Sequence, residues 1–294
     1  MSRFFIEAAE LLWRVTPSKS VREFYLYTFL RLARNRKTVA TLEGMTLALD
    51  LGEMIDVCVY LQKFERDVVG AIERFCRPGW VVLDIGANIG AHSLRFAKAT
   101  GPQGKVYSFE PTDFAYRKLQ KNISLNAFSH VYPFQIALAD QNLRKQNINF
   151  RSSWRTDGKR VEGSGFVDLV RLDDWCLENK VERVDLIKLD VDGNEFSVLS
   201  GGRELLNRVR PLLFMEIGGW HFEDPSRNPL QILRDMDYRF WEIKSLAEFS
   251  DLEAIRRFLS EKEKQKAESI NLIAGARCPV SIAANKDLDK SGES

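Results

Sequence analysis

Three short runs carry side chains able to do chemistry at a meaningful spacing. Asp84-Ile85-Gly86-Ala87-Asn88-Ile89-Gly90 follows the apolar stretch Val81-Val82-Leu83 and precedes a helical pattern. Strand, glycine turn and helix form the βα unit that holds nucleotide-like ligands at the carboxyl edge of a sheet. Glu110 ends the next apolar run, twenty residues past Gly90, where an acid accepts the hydroxyl pair of a ribose. Lys188, Asp190, Asp192 and Glu195 cluster behind a third apolar run, and His221 follows a fourth.

Spacing narrows the ligand. A dinucleotide turn reads Gly-x-Gly-x-x-Gly and a P-loop needs Gly-Lys-Ser/Thr; Asp-x-Gly-x-Asn-x-Gly is neither. No cluster of phosphate-binding groups accompanies Glu110. A nucleoside without a pyrophosphate fits best, which points to S-adenosylmethionine. Backbone near Gly86 and Gly90 would then pass the methionine part, Asp84 would orient its ammonium, and Asn88 would offer an amide to its carboxylate. Glu110 would take the ribose hydroxyls through charge-assisted bonds. The competing reading is a buried strand with an ordinary helix cap, and two such runs together argue against it.

Methyl transfer from a sulfonium is an in-line displacement, so positioning supplies much of the rate. A hydroxyl nucleophile also gains from a base within hydrogen-bond reach. Lys188 and Asp190 share a strand face, because strand side chains alternate. An acid finishing an apolar strand is costly unless used or paired. Asp192 and Glu195 open a helix, where capping is as good an explanation as chemistry. His221 is a candidate proton acceptor, since histidine is the side chain that titrates nearest neutral pH. Asp190, Asp192, Glu216 and His221 could also hold a divalent cation, but no spacing demands it, and no metal is assigned.

These residues need a scaffold. Apolar runs at 81–85, 105–110, 131–138, 184–190 and 212–217 alternate with helical patterns at 91–99, 113–126 and 195–207. Such alternation predicts a doubly wound, mostly parallel sheet in an α/β fold. Further elements are expected as a helix at 230–236, a strand at 238–243, a helix at 252–269 and a last strand at 271–274, seven strands in all. Short strands at 147–150 and 166–170 flank a polar loop, 151–165, read as a substrate lid. It holds Trp154, Arg155, Lys159 and Arg160, which suit an acidic acceptor.

Before the central sheet, residues 1–76 read as a helical and hairpin extension. Two helices divide near Pro17, a hairpin turns at Glu43-Gly44, and a helix covers 54–76. The sheet domain runs from 77 to 284 and a polar, disordered tail from 285 to 294. The first helix is apolar but too short and too charged to span a bilayer. Its packing against the core or a second copy is preferred to interfacial attachment.

Bulk properties exclude several classes. Of 294 residues, 45% are hydrophobic and 29% charged, with net charge +2. That is an ordinary globular balance with no global field for nucleic acid. The four cysteines, Cys58, Cys76, Cys176 and Cys278, form no Cys-x-x-Cys pair. They fit neither zinc nor a disulfide framework, and suit a reducing, cytoplasmic setting.

Taken together, Val82-Leu83-Asp84-Ile85-Gly86-Ala87-Asn88-Ile89-Gly90, Phe109-Glu110-Pro111, Ile187-Lys188-Leu189-Asp190-Val191-Asp192-Gly193-Asn194-Glu195 and Phe214-Met215-Glu216-Ile217 resemble the FkbM-type S-adenosylmethionine-dependent methyltransferases. The resemblance runs from about Phe64 to Ala274. It implies a class I methyltransferase fold with strand order 3-2-1-4-5-7-6, the last strand antiparallel. It places the adenine edge at Ala137 and Leu138, and a matching acid at Glu65. As acceptors it implies hydroxyls of polyketides, sugars and glycans. Amino-methylating enzymes of this fold carry Asn/Asp-Pro-Pro-Tyr/Phe after strand four, where this chain has Asp190-Val191-Asp192-Gly193, so RNA or DNA methylation is the weaker alternative. A cofactor-binding protein without transfer activity is a third reading.

Overall fold

The computed structural model describes residues 36–154, 160–265 and 267–279. The two helices expected before Arg34, the tail from 285, and Arg155 and Lys159 of the expected lid lie outside these residues. The chain divides into two compact units. One takes the sequence up to Arg66 together with Ile148–Gly165, and the other takes Asp67–Asn147 and the sequence from Phe166 onward.

In the first unit, β1 (Lys37–Leu42) and β2 (Met45–Asp50) form the expected hairpin, with Leu42 opposite Met45. Glu43 and Gly44 both have left-handed backbone, φ 50° and 80°. Two such residues match the twist of the strands they join. Met45, Leu47 and Leu49 are buried, the period-two face of a half-covered strand. The expected single helix over 54–76 is two: α1 (Met54–Tyr60) and α2 (Arg66–Phe75), the latter belonging to the second unit from Asp67 onward. Gln62 and Glu65 between them have φ 55° and 36°, which no continuous right-handed helix accommodates.

The second unit is built on an eight-stranded sheet. Its main strands are β3 (Val81–Ile85), β4 (Lys105–Phe109), β5 (Val131–Phe134), β9 (Leu186–Leu189), β10 (Leu212–Gly218), β11 (Arg239–Glu242) and β13 (Ser269–Gly275). Counted along the chain, these seven lie in the spatial order third, second, first, fourth, fifth, seventh, sixth. β13 is antiparallel to both neighbours. β12 (Glu248–Phe249) adds an edge not expected from the sequence.

Alternation along the strands divides the interior into two apolar layers. Leu83, Ile85, Ile187, Leu189, Leu213, Met215 and Ile217 belong to one layer. Val82, Leu186, Leu212 and Phe214, with Phe75 and Ile72 of α2, belong to the other. Asp84 and Lys188 are register partners, and their parity assigns them to the Val82 face. The polar groups therefore begin where that apolar layer ends, at the carboxyl edge of the sheet.

Several expected boundaries shift for physical reasons. The run 131–138 is two strands, β5 and β6 (Ala137–Ala139), and β6 leaves the main sheet to pair with another strand. Pro133 has no N–H to give a further strand, so β5 suits the sheet edge. The lid expected over 151–165 is largely strand: β7 (Leu143–Trp154) and β8 (Arg160–Arg171) form a three-stranded sheet with β6 in the order β6-β8-β7. The helix expected over 195–207 breaks into α6 (Glu195–Gly201) and α7 (Arg203–Val209). A Cβ on Gly201 would lie 1.9 Å from the Ala139 carbonyl, so the glycine pair marks where helix and strand meet. A helix not expected, α5 (Leu172–Glu178), buries Trp175 edge-on against Phe109, with ring centroids 4.7 Å apart. Among the described residues, no helix is long and apolar enough to cross a membrane.

Candidate active site at the carboxyl edge of the sheet

The glycine turn is locked to both neighbouring strands. Gly86 and Ala87 donate backbone N–H groups to the Phe109 carbonyl at 3.0 and 2.9 Å. Asp190 donates its own to the Ile85 carbonyl at 3.1 Å. Gly86 has φ +83°, and a Cβ there would stand 1.8 Å from the Asp190 carbonyl oxygen. Only glycine permits both the conformation and the approach. Asn88, at φ 48°, turns its N–H onto Glu110 Oε2 at 3.0 Å.

Glu110 is held from two sides. Thr112 donates its N–H and its hydroxyl to Oε1 at 2.9 and 2.5 Å. Burial pushes the Glu110 carboxyl above the usual range, while the bonds from Thr112 and Asn88 oppose that rise. A carboxylate accepts about four hydrogen bonds, and the chain supplies three. Capacity remains for a ligand hydroxyl.

Asp84 is fully buried. Its Oδ2 accepts from the Ser93 hydroxyl at 2.5 Å, and Ser108 backs Ser93 at 2.9 Å. Its Oδ1 has no hydrogen-bond partner among the described residues. An unsatisfied buried acceptor is costly, and one on a carboxylate calls for a cation. Burial raises the Asp84 pKa, with Lys188 and His92 opposing and Asp190 adding to the rise. This orphaned oxygen fits the ammonium of the methionine part of S-adenosylmethionine.

Within β9, Lys188 is buried and its ammonium sits 2.7 Å from Oδ2 of Asp190, just past the strand. The turn that follows has left-handed backbone at Asp192 and Gly193, φ 51° and 97°. Carboxylate oxygens of Asp190, Asp192 and Glu216 lie within 4.8 Å of one another. His221, the fourth group considered for a cation, does not join them. It is buried with Glu195, Nε2 to Oε2 2.6 Å, while its Nδ1 accepts the Gly218 N–H at 3.0 Å. Nδ1 also lies 3.3 Å from the Gly218 carbonyl oxygen, so Glu195 and the Gly218 backbone fix the ring from both ends. Glu195 Oε1 in turn accepts the Val191 N–H at 2.9 Å. The pair ties the turn after β9 to the turn after β10.

The site thus brings together Asp84, Gly86, Asn88, Glu110, Lys188 and Asp190, and beside them Glu195 with His221. Gly90 begins the helix α3 (Ala91–Thr100) at φ 86°. Ala137 opens β6, half-buried and in register with Leu169. Glu65 belongs to the first unit. Sequence reading missed Ser93 and Thr112, the donors that hold the two buried acids. Their signal was a hydroxyl in the first turn after the glycines and another just past Glu110-Pro111.

Comparison with known proteins decides the family. The methyltransferase FkbM domain matches residues 84–264, more than half of the chain. The chain belongs to the FkbM methyltransferase family. The donor of that family is S-adenosylmethionine. Among its relatives is the 2-O-methyltransferase NoeI of Sinorhizobium fredii, 32% identical over 170 residues, covering 50% of this chain and 66% of that protein. Another is the hexuronic acid methyltransferase AglP of Haloferax volcanii, 28% identical over 149 residues, covering 49% and 59%. The FkbM methyltransferase structure from Methylobacillus flagellatus is 16% identical with a TM-score of 0.40, covering 87% of this chain and 59% of that one. The chain spans 59 to 66% of the length of these two curated relatives.

Proposed function

We propose that this FkbM-family chain is an S-adenosylmethionine-dependent O-methyltransferase acting on a hydroxyl of a sugar, glycan or other small molecule. The observation that carries the donor half is Asp84 Oδ1, buried and without a partner among the described residues, one strand from the ribose-accepting Glu110. The acceptor half rests on the names of the relatives, a 2-O-methyltransferase and a hexuronic acid methyltransferase.

S-adenosylmethionine supplies an electrophilic methyl on sulfur. Asp84 holds the ammonium end, Asn88 the carboxylate and Glu110 the ribose, with Gly86 and Gly90 giving close backbone approach and Ala137 lying toward the adenine. Asp190 would receive the acceptor's hydroxyl proton as the acceptor oxygen takes the methyl, and the donor sulfur would keep the electron pair of the broken carbon–sulfur bond. Lys188, 2.7 Å away, holds the Asp190 carboxylate in place. Glu195 and His221 position this turn; with both ring nitrogens engaged, His221 braces rather than takes the proton. Glu65 has no role in this proposal.

The compartment is the cytoplasm, supported by four cysteines that form no Cys-x-x-Cys pair. Self-association through the N-terminal segment is part of the same reading, and light scattering tests it. Calorimetric titration with S-adenosylmethionine, with NAD as control, tests the donor. Micromolar affinity for the first alone, about −8 kcal/mol, is expected. Binding of neither by folded protein would leave the glycine turn as architecture and overturn the proposal.

A further inference from the structure

Trp220 is 40% exposed, in the short 3₁₀ turn Gly219–Phe222 that follows β10. Single exposed apolar side chains are common, and exposure alone says little. What sets this indole apart is its seat. A Cβ on Gly218 would meet Cη2 and Cζ3 of its six-membered ring at 2.2 Å. At the other end of the indole, a Cβ on Gly193 would lie 3.5 Å from Cδ1 and Nε1. The ring therefore reaches from the turn after β10 to the turn after β9, resting on two residues that have no side chains. His221 lies beside it, centroids 5.4 Å apart and tilted 44°, and is itself fixed by Glu195 and Gly218.

Acids border this indole. Asp192 precedes Gly193, Glu216 lies two residues before Gly218, and their oxygens converge with those of Asp190. A rigid indole presents an electron-rich surface, which attracts the weakly positive C–H groups of a sugar ring. Carboxylates beside it accept sugar hydroxyls. Asp190 is paired with Lys188 and Glu216 accepts the Ser269 hydroxyl, and three acids beside one lysine weigh against a ring that carries its own carboxylate. Asp84, unpartnered at Oδ1, is the register partner of Lys188, which is bonded to Asp190. Asp190 is thus linked to the donor-holding acid through Lys188 and to the indole through the turn that carries Gly193.

We propose that Trp220, flanked by Asp192 and Glu216, is the acceptor platform, and that it takes an uncharged pyranose ring rather than a uronate. This inference rests on the sugar-methylating reading above and narrows it. It assigns Trp220 to acceptor binding alone, so its loss reads in KM rather than in donor affinity or in kcat.

The test compares the full-length protein with Trp220→Ala and Trp220→Phe. Probes are methyl α-glucopyranoside, methyl N-acetyl-β-glucosaminide and methyl β-glucuronide. Trp220→Ala is expected to raise KM for the neutral glycosides about tenfold, the size of one lost aromatic contact, with kcat and S-adenosylmethionine affinity kept. Trp220→Phe retains KM within about threefold, because an aromatic face remains for the sugar ring. The glucuronide is expected to be at least about tenfold poorer in kcat/KM for the wild type, from like-charge repulsion. An unchanged KM in folded Trp220→Ala, or a glucuronide used as well as the glucoside, overturns the platform while the sugar reading stands. No turnover of any glycoside by protein that binds S-adenosylmethionine overturns both. Should Trp220→Ala not fold, the indole N–H signal of Trp220, assigned by its loss in Trp220→Phe, gives the answer. It must shift as methyl glucoside is added in the presence of S-adenosylhomocysteine, and a static signal sinks the proposal.

Discussion

Single residues at this site hold the protein in a condition that favours function over stability. Asp84 and Glu110 both have carboxyls raised by burial above 3.8 and 4.5. A carboxyl with a raised folded-state pKa contributes stability that is present below its unfolded value and is lost as pH rises through the folded one. The cofactor-free protein should therefore lose stability as pH climbs from about 3.8 upward through the Asp84 pKa. Asp84→Asn removes that loss. We expect the variant to melt higher than wild type at pH 7 without ligand, and to bind S-adenosylmethionine at least about tenfold more weakly, a loss of about 1.4 kcal/mol. Calorimetry and thermal denaturation on one preparation check both halves; a variant that binds normally would remove Asp84 from the ammonium. Glu110→Ala should likewise lose at least about tenfold in cofactor affinity, and an unaltered titration would displace the ribose from Glu110.

At the scale of elements, what matters is how the strand ends are fastened. Gly86→Ala places a methyl group into the Asp190 carbonyl at a left-handed φ, and should cost at least about 2 kcal/mol as read by denaturant midpoint. Glu195→Gln leaves His221 Nε2 facing an amide with one acceptor instead of two, a loss of about 1–3 kcal/mol. Cofactor affinity should survive that change while kcat falls, because the turn carrying Asp190 loosens. Much of this architecture is legible in the sequence, and the exceptions are instructive. Buried parallel strands announce themselves as unbroken apolar runs, so β3, β4 and β10 fall within a residue of expectation. The break at Gln62 and Glu65 leaves no trace, since ordinary side chains there take a backbone normally left to glycine. The glycine pair at Gly201 and Gly202 and the acids Asp173 and Asp174 opening α5 were legible signals. β7 and β8 were legible only at 147–150 and 166–170, because their charged and glycine-containing remainder looks like loop.

For the whole molecule, the site is a property of the complete sheet rather than of any one motif. The residues proposed to hold donor and acceptor come from β3, β4, β9 and β10 and the turns beyond them, so occupancy of the donor site should stabilise the fold globally. At a hundred times its dissociation constant, S-adenosylmethionine should add about 2.7 kcal/mol, seen as a rise in melting temperature that saturates with ligand. Absence of any rise alongside measurable calorimetric binding would mean that the ligand also binds unfolded chain. The carboxyl-edge placement was readable from the alternation of strands and helices. The identity of the brace between Glu195 and His221 was not, because 26 residues separate them and only the folded sheet brings them together.

The contact between Gly86 and the Asp190 carbonyl also sorts the site by its freedom to change over descent. Residues proposed to hold the donor lie on one side of that contact, in the turns after β3 and β4; those proposed to face the acceptor lie on the other, at Asp190 to Glu195 and Glu216 to His221. Outside Asp190, Glu195 and His221, drift in the second group would alter which alcohol is methylated and leave the donor chemistry untouched. Drift at Gly86 would disable both at once. A lineage carrying this scaffold could therefore diversify its substrates through about nine positions, with one glycine as the hinge of its inheritance.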